Sequence, residues 1–148
     1  MKIIVDTRET NAYQFLNITP KPTLLYRGLK SGDYSIEGFE DRITIERKSQ
    51  IDLFGSTGKG RQRFEREFDR LASFDYAAVV IEADLHTIIK NPPEHSAMNP
   101  KAVFRTLLSW SLKYDVHIWP CPSRAFAEKT TYLLLEFWLR HENEGWHI

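Results

Sequence analysis

Two alternating stretches of apolar and polar residues, separated by a short turn, carry a triplet that could do chemistry. Asp33 precedes the turn, Glu46 follows it, and Lys48 lies slightly further along the chain. A period of two predicts β-strands, and residues 38–41 predict the loop of a hairpin. With that loop, Asp33 is expected to lie opposite Glu46, and Lys48 shares their face of the sheet.

The predicted pairing can be checked against the hydrophobic pattern. In this register Tyr34 faces Ile45 and Ile36 faces Ile43, so apolar side chains meet on one side of the hairpin. Polar side chains meet on the other side. A slip by one residue would mix the two faces, so the pattern favours this register strongly.

Two carboxylates with Cβ atoms about 5 Å apart repel each other unless one is protonated or a cation lies between them. Oxygen ligands of this kind suit Mg²⁺ or Mn²⁺ and not zinc. A lysine beside them can orient a water molecule or stabilise charge on a phosphate, as phosphodiester hydrolysis requires. Alternatively, Glu46 and Lys48 are ordinary solvated charges of a hairpin, which is the commoner outcome for one such triplet alone.

Further charged residues lie where predicted elements begin or end. Asp6, Arg8 and Glu9 follow a predicted buried strand at residues 2–6, and sites are common at strand ends in open α/β sheets. Asp52 lies near the start of a predicted helix. For Asp6 and for Asp52, a helix cap is the structural alternative.

Apolar periodicity elsewhere predicts strands that alternate with helices. Further strands are predicted at residues 23–29, 76–81 and 116–119, and helices at residues 61–71, after Asn99 and after Ser123. The last helix is predicted to bury one side, formed by Phe126, Leu133, Leu134, Phe137 and Trp138. This alternation predicts an α/β fold with a mixed sheet covered on both faces. No shift in composition marks a second domain, so we predict a single domain over residues 1–148.

Composition limits the class of protein. Twenty acidic residues balance twenty basic ones, so net charge does not favour a nucleic-acid partner. The lone Cys121 excludes a disulfide scaffold and a multi-cysteine zinc site. No apolar run approaches the length of a membrane span. We therefore expect an intracellular protein with no membrane association.

Three pieces of the sequence, taken together, resemble the signature of the XPF-type nuclease family, the structure-specific endonucleases of archaea and eukaryotes. They are Asp6-x-Arg8-Glu9, Gly32-Asp33 and Glu46-Arg47-Lys48-x-x-x-Asp52. The resemblance extends over roughly residues 2–140. It implies a restriction-endonuclease-like core with a mixed central sheet flanked by helices. It also implies Mg²⁺-dependent, or Mn²⁺-dependent, cleavage of one strand of branched DNA such as 3′ flaps, forks or nicked junctions, and a role in DNA repair.

The resemblance also implies roles for individual residues. Asp33 and Glu46 would hold the metal with the carbonyl of Arg47, and Lys48 would position or polarise the attacking water. On the hairpin register the Arg47 side chain points away from Glu46, so we expect it to support the site or meet substrate. Further acidic positions of the family, as outer ligands or a second metal position, are matched by Asp6, Glu9 and Asp52.

Basic residues near the predicted site are candidate DNA contacts. They comprise Arg8, Lys59, Arg61 and Arg63, with Arg66 and Arg70 further along the same helix. The alternative is a solvated helix face with pairs of opposite charge one turn apart. Residues 55–60 do not match a phosphate-binding loop, because Gly60 replaces the hydroxyl residue and Leu53 replaces the first glycine. A mobile loop is predicted there instead.

Two departures from the family qualify the expectation. No tandem helix-hairpin-helix module follows the nuclease region, so a separate subunit could supply DNA grip. The helix at residues 61–71 has Glu65-Arg66-Glu67 where the family usually has a glutamine. Since C-terminal helices pair nuclease domains in this family, a homodimer or heterodimer is a further hypothesis. Alternative functions are a restriction-like or junction-resolving nuclease, or a silent scaffold, although scaffolds usually lose the Glu-Arg-Lys triplet.

Overall fold

The computed structural model describes residues 1–146, which form a sheet of six strands with helices on both faces. The strands are β1 (Lys2–Asp6), β2 (Thr23–Arg27), β3 (Tyr34–Ile36), β4 (Ile43–Lys48), β5 (Tyr76–Ile81) and β6 (His117–Pro120). The helices are α1 (Gln50–Thr57), α2 (Arg61–Leu71), α3 (Leu85–Lys90), α4 (Pro100–Tyr114) and α5 (Arg124–Glu144). The predicted mixed sheet is therefore confirmed.

The strand order is β2-β1-β3-β4-β5-β6. β3 runs antiparallel to both of its neighbours, whereas β1 and β2 are parallel, as are β4, β5 and β6. Tyr34 pairs with Ile45, which is the predicted register of the hairpin. This pairing places the candidate carboxylates near the centre of the sheet.

Two apolar cores lie on opposite faces of the sheet. One contains the apolar side of the hairpin, including Tyr34 and Ile45, and packs beneath α5. The other contains Phe64 and Phe68 of α2 and Trp110 of α4. Phe64, Phe68 and Leu71 form the buried stripe that the sequence predicts for α2.

Two local predictions are wrong. Residues 55–57, predicted to belong to a mobile loop, form the last turn of α1, and only residues 58–60 connect it to α2. In α5, Phe126 and Phe137 are exposed, while Ala127, Thr131, Leu135 and Trp138 are buried. The helix has more apolar residues than one face can hold. Thr131 can be buried because its hydroxyl donates to the carbonyl of Ala127.

No helix among residues 1–146 is both long enough and apolar enough to cross a bilayer.

Candidate active site

The hairpin brings Asp33 and Glu46 into one cavity of about 270 Å³. The Asp33 N–H donates to the carbonyl of Ile45 at 2.8 Å, directly before the Tyr34–Ile45 pair of β3 and β4. The Arg47 N–H then donates to Oδ2 of Asp33 at 2.8 Å. Strand pairing therefore fixes the backbone of both acids and orients the Asp33 carboxylate. As predicted, Lys48 lies on the same face.

The two acids are electrostatically strained in the absence of a cation. Glu46 is only 7% exposed, and its pKa is raised well above its ordinary value by burial, then by Asp33 and by Glu67. Burial, followed by the charge of Glu9, raises the pKa of Asp33 to about 7, against the opposing hydrogen bond from Arg47. A cation between the carboxylates would relieve both effects.

Glu67 is a site residue that the sequence analysis missed. It projects from α2 into the carboxylate cavity, where it lies beside Glu46. Arg63 and Arg70 line the same cavity, one helical turn on either side of Glu67. This face of α2, for which a solvated surface was the alternative interpretation, therefore closes the site. The sequence did contain a signal for this, because Arg63 and Glu67 directly precede Phe64 and Phe68 of the predicted buried stripe.

Lys48 lies in an adjoining cavity of about 470 Å³, which shares Arg63 and Glu67 with the first. Its Nζ donates to Oγ of Ser56 at 3.0 Å and lies 4.8 Å from the centroid of the Phe64 ring. These contacts hold the ammonium group against α1 and α2. Lys48 thus lies near the acids but forms no direct ion pair with Asp33 or Glu46.

Asp52 lines the same cavity as Lys48, and it does not cap α1. Ser49 is the capping residue, because its hydroxyl accepts a hydrogen bond from the N–H of Asp52. The capping alternative for Asp52 is therefore wrong. Its carboxylate is exposed at the mouth of the cavity.

Arg47 points to the opposite face of the sheet, as the register predicts. Its Nε donates to Glu82 at 2.9 Å, and its Nη1 donates to the carbonyls of Thr10 and Asn11. The guanidinium also lies 4.8 Å from the centroid of the Tyr13 ring. Arg47 thus ties the end of β4 to the end of β5 and to the segment after β1, while its backbone orients Asp33.

The two acids after β1 have different surroundings. Asp6 lines the carboxylate cavity, but its oxygens accept hydrogen bonds from Arg8 Nε at 3.0 Å and from the Leu29 N–H at 2.8 Å. Glu9 lies 3.7 Å from the guanidinium of Arg47, and burial raises its pKa. Among the predicted outer acids, Asp6 therefore anchors a loop, and Glu9 belongs to the Arg47 side of the sheet.

Only some of the predicted DNA contacts face the carboxylates. Arg8 and Arg63 line the cavity. Arg61 is turned toward α4, where it donates to Thr106 at 2.8 Å and lies over the ring of Trp110. Lys59 is exposed in the turn between α1 and α2 and lines neither cavity.

The donors present fit a hard divalent cation. Within residues 1–146, no three His, Cys, Asp or Glu side chains are grouped as a ready-made metal cage. Mg²⁺ does not need one, because it commonly binds through one or two carboxylates and completes its coordination with water and substrate phosphate. Asp33 and Glu46 supply that number of carboxylates, and the absence of sulfur and imidazole disfavours zinc.

Comparison with known proteins agrees with this fold. The family model described as ERCC4 domain matches residues 5–134. XPF from Aeropyrum pernix matches with a TM-score of 0.74 and 18% identity, covering 97% of this chain and 68% of that chain. XPF from Aeropyrum pernix in complex with DNA matches with a TM-score of 0.69 and 20% identity, covering 97% and 65%. The chain thus spans about two thirds of the length of these proteins. No curated protein sequence matches it.

Proposed function

This chain belongs to the ERCC4 domain family, and we propose that it is a metal-dependent endonuclease that hydrolyses phosphodiester bonds in branched DNA. The observation that carries the proposal is the burial of Glu46 beside Asp33 in a cavity bordered by basic side chains. A buried acid beside a partly buried one is costly without a cation between them. A divalent cation that also binds a phosphate would make the arrangement favourable.

In the proposed mechanism Asp33 and Glu46 would hold the metal. Bound there, Mg²⁺ or Mn²⁺ supplies Lewis-acid stabilisation of the phosphate oxygens. Lys48, held by Ser56, donates a hydrogen bond to the attacking water or to the phosphate. Arg47 keeps the Asp33 carboxylate in place through its backbone N–H. Asp6, Glu9 and Asp52 would act as outer acids that support the site.

Branched DNA is the proposed substrate class, specifically a 3′ flap, fork or nicked junction. Support comes from the fold of the XPF–DNA complex and from Arg8 and Arg63, whose positions beside the acids suit contact with phosphates. Lys59 and Arg61 would act further from the cleaved bond. Processing such structures is a DNA repair activity.

We further propose that α5 carries a pairing surface for a homodimer or heterodimer. Phe126 and Phe137 are 56% and 45% exposed, whereas Trp138 is buried against Phe39. Light scattering at micromolar concentration tests this proposal. A monomer in the presence and absence of DNA would count against it.

The decisive experiment incubates the protein with labelled flap, fork, junction and linear duplex DNA, with Mg²⁺ or with chelator. We expect metal-dependent cleavage near the branch by the wild type and none by Asp33→Asn. Lys129→Ala is a matched control, since Lys129 is exposed on α5, on the other face of the sheet. Equal cleavage of linear duplex would favour a restriction-like nuclease. DNA binding without cleavage in any metal would favour a silent scaffold.

A further inference from the structure

Four cationic side chains border the carboxylate cavity, and one of them belongs to no motif of the sequence. They are Arg8, Lys30, Arg63 and Arg70. Lys30 comes from the segment between β2 and β3, whereas Arg63 and Arg70 come from α2 across the cavity. An acidic centre with a cationic border suits a polyanion whose reacting group lies over the acids and whose neighbouring groups lie over the border.

The backbone on both sides of Lys30 is fixed by hydrogen bonds. Before it, the Leu29 N–H donates to Asp6 at 2.8 Å. After it, the carbonyl of Ser31 accepts from the hydroxyl of Thr44 at 2.8 Å. The position at which the Lys30 side chain leaves the chain is therefore set by the same elements that carry the acids.

The side chain of Lys30 is free to meet a ligand. It is 89% exposed, and its ion-pair partner is Asp41, itself 83% exposed, at 3.9 Å. Such a pair is worth little in water. Arg70 reaches from α2 and donates through Nε to the hydroxyl of Ser31 at 3.2 Å, which holds its guanidinium beside the same loop.

We propose that Lys30, together with Arg70, binds the phosphate next to the one that is cleaved. The inference rests on the proposed function, because it takes the cleaved phosphate to lie over Asp33 and Glu46 beside Lys48. An ammonium group on a long flexible stem suits a phosphate at the mouth of the cavity. The nearby guanidinium adds a second donor that is already held in place.

The first test measures the salt dependence of binding to a fluorescent 3′ flap in chelator. Each lost phosphate contact lowers the slope of log affinity against log salt by about 0.7 to 0.9. When salt is raised from about 50 to 200 mM, the affinity of Lys30→Ala should therefore fall by a factor about threefold smaller than the factor for the wild type. Lys129→Ala should keep the wild-type slope. A wild-type slope for Lys30→Ala overturns the inference.

The second test places an uncharged methylphosphonate at single positions on either side of the cleaved bond. We expect one position to slow wild-type cleavage several-fold and to leave Lys30→Ala, already slower on normal DNA, unaffected. Equal sensitivity of the two proteins at every position overturns the inference and leaves the proposed function intact. If the wild type cleaves no branched DNA in Mg²⁺ or Mn²⁺, the proposed function fails, and the inference fails with it.

Discussion

Replacing Asp33 by asparagine should abolish cleavage and also make the metal-free protein more stable at alkaline pH. The folded state raises the pKa of Asp33 from 3.8 to about 7, mainly through burial. Because the folded protein then holds this proton more tightly than the unfolded chain, stability falls as pH rises from about 4 to about 7. Above pH 7 the full cost of ionising the buried group is present.

The size of the effect follows from the shift. At about 1.4 kcal/mol per pKa unit, a shift of this size sets an upper bound of about 4 kcal/mol. Asp33 is partly accessible to solvent, so we expect a gain of about 2 kcal/mol in the free energy of unfolding for Asp33→Asn at pH 8. The amide oxygen can still accept the hydrogen bond from the Arg47 N–H, so the local geometry is kept.

Urea unfolding in chelator, followed by tryptophan fluorescence at pH 4 to 8, measures this effect. Trp138 is buried in one core and Trp110 in the other, so the signal responds to the loss of both. The difference between variant and wild type should vanish toward pH 4. Asp69→Asn, an exposed acid on α2, is the control and should change little. If Asp33→Asn were no more stable than the wild type at pH 8, the electrostatic account of the site would be refuted.

Three further predictions concern the site and the Arg47 pairing behind it. Lys48→Met should lower the cleavage rate at least about 100-fold with unchanged DNA binding, measured by single-turnover kinetics and anisotropy; a normal rate would remove Lys48 from the chemistry. Mg²⁺ affinity, measured by calorimetry, should rise from pH 6 to 8 with release of protons, because the metal displaces the proton held by Asp33; a flat profile would contradict that. Glu82→Gln should lower the free energy of unfolding by about 1 to 3 kcal/mol, since it weakens the pairing with Arg47; an unchanged urea midpoint would show that this pair contributes little.

The hairpin could be predicted from the sequence because its alternation leaves one register that separates apolar from polar side chains. Tyr34 pairs with Ile45 in that register, and this pairing brings the neighbouring Asp33 and Glu46 close together. Family membership was predicted from the order and spacing of three motif pieces, of which Gly32-Asp33 directly precedes β3 and Glu46-Arg47-Lys48 ends β4. Prediction works here because pairing is local and each residue constrains its neighbour.

The surroundings of the acids could not be predicted in the same way. Glu67 and Arg70 lie on a helix whose charges alternate in sign, and only tertiary packing decides which charged face turns inward. Lys30 lies in a connection with no periodicity. In α5 the excess of apolar residues left the buried face undetermined, and Phe137 was assigned to the wrong side. Whether Asp6, Glu9 and Asp52 act in the reaction stays a prediction.

The glycine before Asp33 shows why the two residues occur as a pair. Gly32 has a φ of +82°, and a Cβ there would lie 1.9 Å from Oγ1 of Thr44. Thr44 cannot withdraw easily, because it is fully buried and its hydroxyl is bonded to Ser31. Gly32 is thus required by the available space and backbone conformation, and Asp33 by the charge of its carboxylate. A substitution at Gly32 would misplace Asp33 without altering a single reactive group.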